Sequence, residues 1–393
     1  MKKILAMLLA LVMVMGLVAC GGNAPETTAP AETNAPAEST PAESTPAVSD
    51  VEYKIAMITD YGDITDQSFN QTTYEAVKAF AETNGVDYTY YKPQGDSTAE
   101  RIAMVDAAVV DGYNVIVMPG FAFGETLAEV ADIYPEVKFI ALDVAEGEGG
   151  FTATENVFSA VYQEELSGYM AGVAAVKLGY KHLGYLGGMA VPAVQRFGYG
   201  FLQGVDAAAK ELGIVGDIKV EYVYGNQFFG DADITAVMDT WYGEKGVECV
   251  FACGGGIWSS AAEAAAKVGG KVIGVDVDQA AIIDGMYGEG MTVTSAMKGL
   301  APTVNTLLTA IILEDNWAAY AGKIETLGLV SADPEANYVQ IPMASTQFAE
   351  GFTAEDYSAL VAAMFEGTVV VSGDISAFPT TEVAVETYAD IKG

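Results

Sequence analysis

The sequence is poor in the residues that build metal and redox centres. It has one histidine, His182, and three cysteines, Cys20, Cys249 and Cys253, among 393 residues. A structural zinc site takes four Cys or His ligands, so we predict no metal site and no cofactor. Cys249 and Cys253 lie four residues apart on a predicted strand, about 13 Å from each other, which excludes a disulfide between them. We expect both cysteines to be buried thiols of the core. We expect His182 to lie at the surface.

Basic residues are also scarce. The chain has 18 Lys and Arg against 53 Asp and Glu, which is a formal net charge of −35. Removal of Lys2 and Lys3 with a leader peptide would subtract two positive charges and make it −37. A charge this negative argues against nucleic acid and against an anionic membrane surface as partners.

The N-terminus has the pattern of a signal peptide, residues 1–19. Lys2 and Lys3 precede an apolar run that is shorter than the roughly 20 residues of a membrane-spanning helix. The run ends before Cys20 and Gly21 in a pattern that resembles the lipobox of bacterial lipoproteins. We therefore expect a lipid on the Cys20 thiol that holds the protein on the cell membrane, facing the extracellular side. The alternative is an ordinary signal peptide with an incidental cysteine.

Residues 20–50 form a segment of different composition. After Cys20 it consists almost entirely of Pro, Ala, Glu, Ser and Thr, without an aromatic residue. Such a segment buries too little apolar area to offset the entropy cost of ordering it. We predict a disordered tether between the lipid and the folded part. A low-complexity tail without a role would have the same composition.

Beyond residue 50, short apolar runs alternate with amphipathic segments. We predict helices at 68–82 and 164–177, where apolar residues recur at helical spacing. We predict strands at 54–59, 115–118, 137–142, 183–186, 247–252, 272–275 and 291–295. Strands joined by helices indicate βαβ units and parallel sheets, hence an α/β fold. About ten strands over about 340 residues fit two doubly wound domains better than one.

Glycine and aspartate follow several of these predicted strands. In doubly wound sheets, ligands bind beyond the carboxyl ends of the strands. Any one of these residues is explained by a turn or a helix cap, but together they predict a cleft. The strand ends are Asp60, Pro119-Gly120, Asp143, Gly187-Gly188, Gly254-Gly255-Gly256 and Asp276-Val277-Asp278.

Several motifs occur in a characteristic order. The first is ITDYGDITDQSFNQ at residues 58–71. The later ones are Glu155-Asn156-Val157, Gln163-Glu164-Glu165, Gly168-Tyr169-Met170-Ala171-Gly172, Gly187-Gly188-Met189 with Pro192, Val194, Phe197, Gly200 and Phe201, Val275-Asp276-Val277-Asp278-Gln279, and Met297-Lys298. Together they strongly resemble the basic membrane protein family, the substrate-binding lipoproteins of ABC importers that include purine-nucleoside receptors. The likeness covers roughly residues 53–300, and residues 352–371 look like the family's last helix and strand.

The resemblance implies a two-lobed type I periplasmic-binding-protein fold. This fold has two doubly wound, mainly parallel sheets, with a hinge and a cleft between the lobes. We predict an N-terminal lobe of residues 51–154 plus about 298–325. The C-terminal lobe would comprise residues 155–297 plus about 336–393.

The resemblance also implies contacts to the base of a purine nucleoside. Phe69 would stack on one face of the base and Phe229 on the other, at about 1–3 kcal/mol per stacked base. Asp60 and Asn70 would hydrogen-bond the base edge, where an amide both donates and accepts. Phe69 and Asp60 also have plainer interpretations, as a core residue and a helix cap. Phe228 and Phe229 are adjacent, so we expect one of them in the core.

Contacts to the sugar follow from the same resemblance. Asp276 and Lys298 would hold the ribose hydroxyls, with the backbone of Gly254 and Gly255 near the sugar and Asp143 as a further candidate. Asp276 and Lys298 can also pair with each other, which leaves no buried charge unpaired.

We therefore predict a monomeric binding protein, not an enzyme, that delivers purine nucleosides to the permease of an ABC importer. Riboflavin or another flat ligand with a polyol is the alternative within the fold, and Trp258 after the glycine run would narrow the sugar side of the cleft. A nucleoside-processing enzyme is a second alternative, since Asp276 and Asp278 are paired carboxylates. A surface antigen with a degenerate site is a third.

Overall fold

The computed structural model describes residues 51–393, and the predicted signal peptide, Cys20 and tether lie outside this range. The strands are β1 (Lys54–Ile58), β2 (Asp87–Tyr91), β3 (Val115–Pro119), β4 (Lys138–Leu142), β5 (Val157–Tyr162), β6 (His182–Gly187), β7 (Lys219–Tyr224), β8 (Cys249–Cys253), β9 (Lys271–Asp276), β10 (Thr292–Lys298), β11 (Lys323–Leu327), β12 (Val339–Gln340) and β13 (Ala384–Thr387). The helices are α1 (Phe69–Asn84), α2 (Thr98–Val110), α3 (Phe123–Val130), α4 (Glu164–Lys177), α5 (Pro192–Leu212), α6 (Ala232–Thr240), α7 (Trp258–Val268), α8 (Ala280–Tyr287), α9 (Leu300–Leu308) and α10 (Ala354–Phe365).

These strands form two separate sheets. The first has the order β11-β5-β4-β3-β1-β2, and all of its strand pairs are parallel. The second has the order β12-β10-β9-β8-β6-β7-β13, in which β12 alone runs antiparallel to its neighbour. The two doubly wound, mainly parallel sheets confirm the predicted α/β fold with two lobes.

Both faces of each sheet are covered, which is why the central strands are continuous apolar runs. Every residue of β3 and β8 is buried. On the first sheet, α1 and α9 cover one face and α2 and α3 cover the other. Cys249 and Cys253 are buried thiols of the second sheet, as predicted.

Helices α4 and α5 approach each other closely because glycines face the neighbouring backbone. A Cβ atom at Gly200 would lie 2.1 Å from the carbonyl oxygen of Glu165, and one at Gly172 would lie 2.3 Å from that of Phe201. Only glycine permits backbones to come this near. The packing places the start of α4 close against α5.

The chain passes between the two sheets three times. It leaves the first sheet after β5, returns after β10 through α9, and leaves again after β11 for β12. The predicted lobe boundary after residue 154 is wrong at β5, because this strand pairs with β4 and β11 in the first sheet. The rest of the predicted lobe division stays a prediction.

Two further expectations differ from the structure. Residues 352–371 contain α10 but no strand, and the last strand is β13, which extends the second sheet beside β7. His182 is only partly exposed, because its Nε2 lies 2.9 Å from Oε1 of the buried Glu221. None of the helices within residues 51–393 has both the length and the apolar character needed to cross a membrane.

Candidate functional site

A cavity lies where the carboxyl ends of strands from both sheets meet. It holds about 650 Å³ of atom-free space, including the part open to solvent. Eight of the nine predicted ligand-binding residues line it: Asp60, Phe69, Asn70, Asp143, Gly254, Gly255, Asp276 and Lys298. This is the position at which doubly wound sheets bind ligands.

One polar group of the cavity is built on Asp60 and Asn70. The carboxylate of Asp60 accepts from the backbone N–H of Gly62 at 3.2 Å and from the Asn70 amide at 3.4 Å. The same amide donates to Asp66 at 3.1 Å, and Asp66 also accepts from backbone N–H groups at the start of α1. Within residues 51–393, the buried Oδ1 of Asn70 has no hydrogen-bond partner. Acceptor oxygens are therefore what this group offers to a ligand.

Glycines make the room for this group. A Cβ atom at Gly120 would lie 1.9 Å from Oδ2 of Asp60, and one at Gly62 would lie 2.0 Å from Nδ2 of Asn70. Burial raises the pKa of Asp60 to about 6, although hydrogen bonds from the backbone and from Asn70 oppose the shift. The pKa of Asp60 is therefore well above that of an ordinary aspartate.

A second polar group surrounds Lys298, the last residue of β10. Its ammonium lies 2.5 Å from Oδ2 of Asp143, 3.5 Å from Oε1 of Glu164 and 3.8 Å from Oδ1 of Asp276. It also lies 4.6 Å from the ring centroid of Phe69, within the range of a cation–π interaction. Burial lowers the pKa of Lys298, but the three carboxylates outweigh burial and hold it above its usual value.

Asp143 and Asp276 occupy equivalent places in the two sheets. Asp143 follows β4 and Asp276 ends β9, and both have left-handed backbones with φ of 63° and 65°. Such strain is common at functional sites. Oδ2 of Asp276 accepts from the Ser68 hydroxyl at 2.6 Å, whereas Oδ1 of Asp143 has no partner in the described part of the chain. Burial raises the pKa of both, that of Asp143 to about 7, and Lys298 opposes the shift.

Phe229 is the one predicted ligand-binding residue that does not line the cavity. Its side chain is 60% exposed, and the adjacent Phe228 lines the cavity instead. The ring of Phe228 lies over Gly188 and Gly254 and is 6.3 Å from the ring of Tyr61. The structure therefore brings Phe228 to the cavity in place of the expected Phe229.

Two further aromatic residues line the cavity, Phe121 and Phe197. Phe121 follows the glycine after β3 and stacks on Tyr61 at 5.7 Å, and Phe197 belongs to the motif that begins at Gly187. Trp258, expected to narrow the cleft, is buried in the core of the second lobe and does not line the cavity. Residues 51–393 contain no cluster of three or more His, Cys, Asp or Glu side chains placed for a metal ion.

Comparisons with known proteins agree with this geometry. The model of the Bmp family, described as "ABC transporter substrate-binding protein PnrA-like", matches residues 53–332. The chain is 30% identical over 241 residues to the ABC transporter nucleoside-binding protein BmpA of Lactococcus lactis subsp. cremoris, covering 58% of this chain and 65% of that protein. It is 29% identical over 185 residues to an uncharacterized lipoprotein of Pyrococcus abyssi, covering 46% of this chain and 44% of that protein. The chain thus spans less than two thirds of both relatives.

Among solved structures, the fold is similar to a solute-binding protein of an ABC transporter system from Aeropyrum pernix. The TM-score is 0.63 at 24% identity, over 81% of this chain and 87% of that one. At this identity the likeness shows the type I binding-protein fold alone.

Proposed function

The chain belongs to the Bmp family of PnrA-like ABC transporter substrate-binding proteins, and from this premise we propose that it captures purine nucleosides and delivers them to the permease of an importer. The observation that carries the proposal is the cavity between the sheets, which combines aromatic walls with two polar groups. The Lactococcus lactis relative, whose name includes nucleoside binding, supports the same ligand class.

The aromatic walls suit the base. Phe69 and Phe228 both line the cavity and offer π faces for stacking. Asp60 and Asn70 contribute acceptor oxygens, since the Asn70 amide already donates to carboxylates. Purine bases carry N–H groups on their edges, so they supply the donors that these oxygens lack.

The group around Lys298 suits the sugar. Oδ1 of Asp143 has no partner within residues 51–393, so a ribose hydroxyl can donate to it and accept from the ammonium of Lys298. Among the described residues, four carboxylates line the cavity, those of Asp60, Asp66, Asp143 and Asp276, against a single lysine. This negative balance disfavours phosphates, so we propose nucleosides rather than nucleotides as ligands.

We also propose that a lipid on Cys20 holds the receptor on the extracellular face of the cell membrane. The cysteine lies outside the described residues, and the support is its sequence context together with the lipoprotein name of the Pyrococcus abyssi relative. Metabolic labelling with radioactive palmitate tests it. Wild type should incorporate label and Cys20→Ser should not, and equal labelling of both would refute the anchor.

Titration calorimetry on the purified full-length chain tests the ligand. Copurified ligand is first removed by unfolding and refolding, and the panel is adenosine, guanosine, inosine, uridine, adenosine monophosphate, ribose and riboflavin. We expect binding of the purine nucleosides and none of ribose or the nucleotide. If riboflavin alone binds, riboflavin and not a purine nucleoside is the ligand. If no compound of the panel binds, the proposal is refuted.

A further inference from the structure

Glu164, in the motif Gln163-Glu164-Glu165, is a buried acid beside the cavity. Glu164 is the first residue of α4, directly after the chain leaves the first sheet, and its side chain is fully buried. It does not line the cavity. An ionised carboxylate in such a place is stable only with positive partners.

Two cations flank this carboxylate. Oε2 of Glu164 accepts from Nε of Arg196 on α5 at 2.6 Å. Oε1 lies 3.5 Å from Nζ of Lys298 and has no hydrogen-bond partner within residues 51–393. Glu164 therefore connects a cation behind the cavity with the cation that lines it.

The same lysine joins the two lobes. Asp143, its nearest partner, follows β4 of the first sheet, whereas Lys298 and Asp276 end strands of the second. The close contact between α4 and α5 brings Glu164 and Arg196 together beside this junction. Lys298 therefore lies between an acid of the first lobe and the pair of Glu164 and Arg196 in the second.

We propose that Glu164 and Arg196 are positioning residues, which hold the Lys298 ammonium between the Asp143 and Asp276 carboxylates for contact with the ligand. The inference rests on the proposed function for its ligand. In this role, Glu164 and Arg196 act through Lys298 and do not touch the nucleoside themselves.

Charge balance supports this role. Three carboxylates, Asp143, Glu164 and Asp276, face two cations, Lys298 and Arg196. Removal of the Glu164 charge would leave Arg196 without its partner and weaken the hold on Lys298 from that side. Oε1 of Glu164 attracts the Lys298 ammonium through its charge at 3.5 Å, so the uncharged Gln at this position keeps the shape but loses much of the attraction.

The first test is nucleoside affinity in matched variants of the full-length chain. Glu164→Gln should weaken adenosine or inosine binding about tenfold. Glu165→Gln makes the same substitution at the next residue, which is also buried, and should change affinity less than about twofold. Arg196→Gln should weaken binding as Glu164→Gln does, and Arg196→Lys should restore part of the loss because it keeps the charge.

The second test needs no ligand. Burial raises the pKa of Asp143 to about 7, Lys298 on β10 and Arg196 on α5 lower it, and Glu164 on α4 raises it. Asp143 is followed by carbon-13 NMR in protein labelled at the aspartate carboxyl carbons, with its resonance assigned by loss in Asp143→Asn. Glu164→Gln should move the titration midpoint to lower pH, and Glu165→Gln should leave it in place.

The two tests separate the inference from the proposed function. A wild type that binds no nucleoside refutes the function, while the NMR titration still decides whether Glu164 controls the group around Lys298. Equal midpoints in Glu164→Gln and Glu165→Gln overturn the inference. So does a wild type that binds nucleoside with an affinity that Glu164→Gln leaves unchanged.

Discussion

The assignment of Phe228 to the cavity makes a sharp prediction, because the adjacent Phe229 provides a matched control. Phe228→Ala removes an aromatic wall of the cavity and should weaken nucleoside binding by about 1–3 kcal/mol, roughly 5- to 150-fold. Phe229 is 60% exposed and outside the cavity. Phe229→Ala should therefore change affinity and stability by less than about 0.5 kcal/mol.

The size of the loss depends on what else touches the ring. Phe228 is half-buried and packs over Gly188 and Gly254, which add no side chain that would fill the space after truncation. The free energy of unfolding should fall by about 1–2 kcal/mol, less than for a fully buried phenylalanine. The loss of binding free energy should exceed what the loss of stability alone would cause, because Phe69 would then stack on only one face of the base.

Calorimetry with inosine and urea unfolding, on both variants side by side, measure the two quantities. An affinity loss in Phe229→Ala that equals or exceeds the loss in Phe228→Ala would refute the assignment. It would mean that Phe229 turns into the cleft when ligand binds. Unchanged affinity in both variants would remove this segment from the site.

Three other predictions concern the polar groups. Lys298→Met should abolish nucleoside binding and lower the free energy of unfolding by about 3–5 kcal/mol, because the buried Asp143 and Asp276 lose their cation and Glu164 keeps only Arg196. Lys267→Met, which removes exposed ion pairs, should cost about 0–1 kcal/mol in the same urea titration, and equal costs would contradict the argument. Gly120→Ala should abolish binding, because the added Cβ atom would displace Asp60. Gly112 also has a positive φ, but a Cβ atom there would meet no atom within 4 Å, so Gly112→Ala should reduce thermal stability alone. Equal affinities of the two variants in calorimetry would contradict the role of Gly120 in making room for Asp60. Nucleoside affinity should fall as pH drops through about 6, where Asp60 gains a proton and loses the negative charge that strengthens the hydrogen bonds it accepts. If Asp60→Asn shows the same pH profile as wild type, Asp60 is not the cause. Since the folded-state pKa of Asp60 lies above its ordinary 3.8, its protonation adds stability to the ligand-free protein as pH falls through this window.

The parts of the fold that could be predicted are those in which local pattern and burial agree. Helix α4 begins at Glu164 and ends at Lys177, the bounds that its apolar spacing indicated. Asp60, Asp143 and Asp276 meet in one cavity because the carboxyl ends of parallel strands lie at one edge of each sheet. Their positions directly after apolar runs of the sequence therefore indicate the site.

Other features depend on packing that a single sequence does not reveal. Strands β11 and β13 lie at the edges of their sheets and have mostly exposed or half-buried residues, so they lack a clear apolar run. Phe228 and Phe229 have the same chemistry, and only the tertiary structure selects one of them for the cavity. Trp258 lies in the core because α7 turns its side chain towards Tyr287, a contact between different helices.

Two hydrogen bonds that join the lobes lie beside the cavity. The Ser68 hydroxyl donates to Asp276 at 2.6 Å, and the Gln279 amide donates to the backbone carbonyl of Gln67 at 3.1 Å. A hydrogen bond between neutral groups contributes about 0.5–1.5 kcal/mol net and one to a charged group about 1.5–3 kcal/mol, so these two contacts favour closure only modestly. A ligand that touches both lobes at once shifts the equilibrium by its greater affinity for the closed form. We therefore expect affinity to depend on the junction of the lobes as well as on the cavity walls, which agrees with the positioning role proposed for Glu164 outside the cavity.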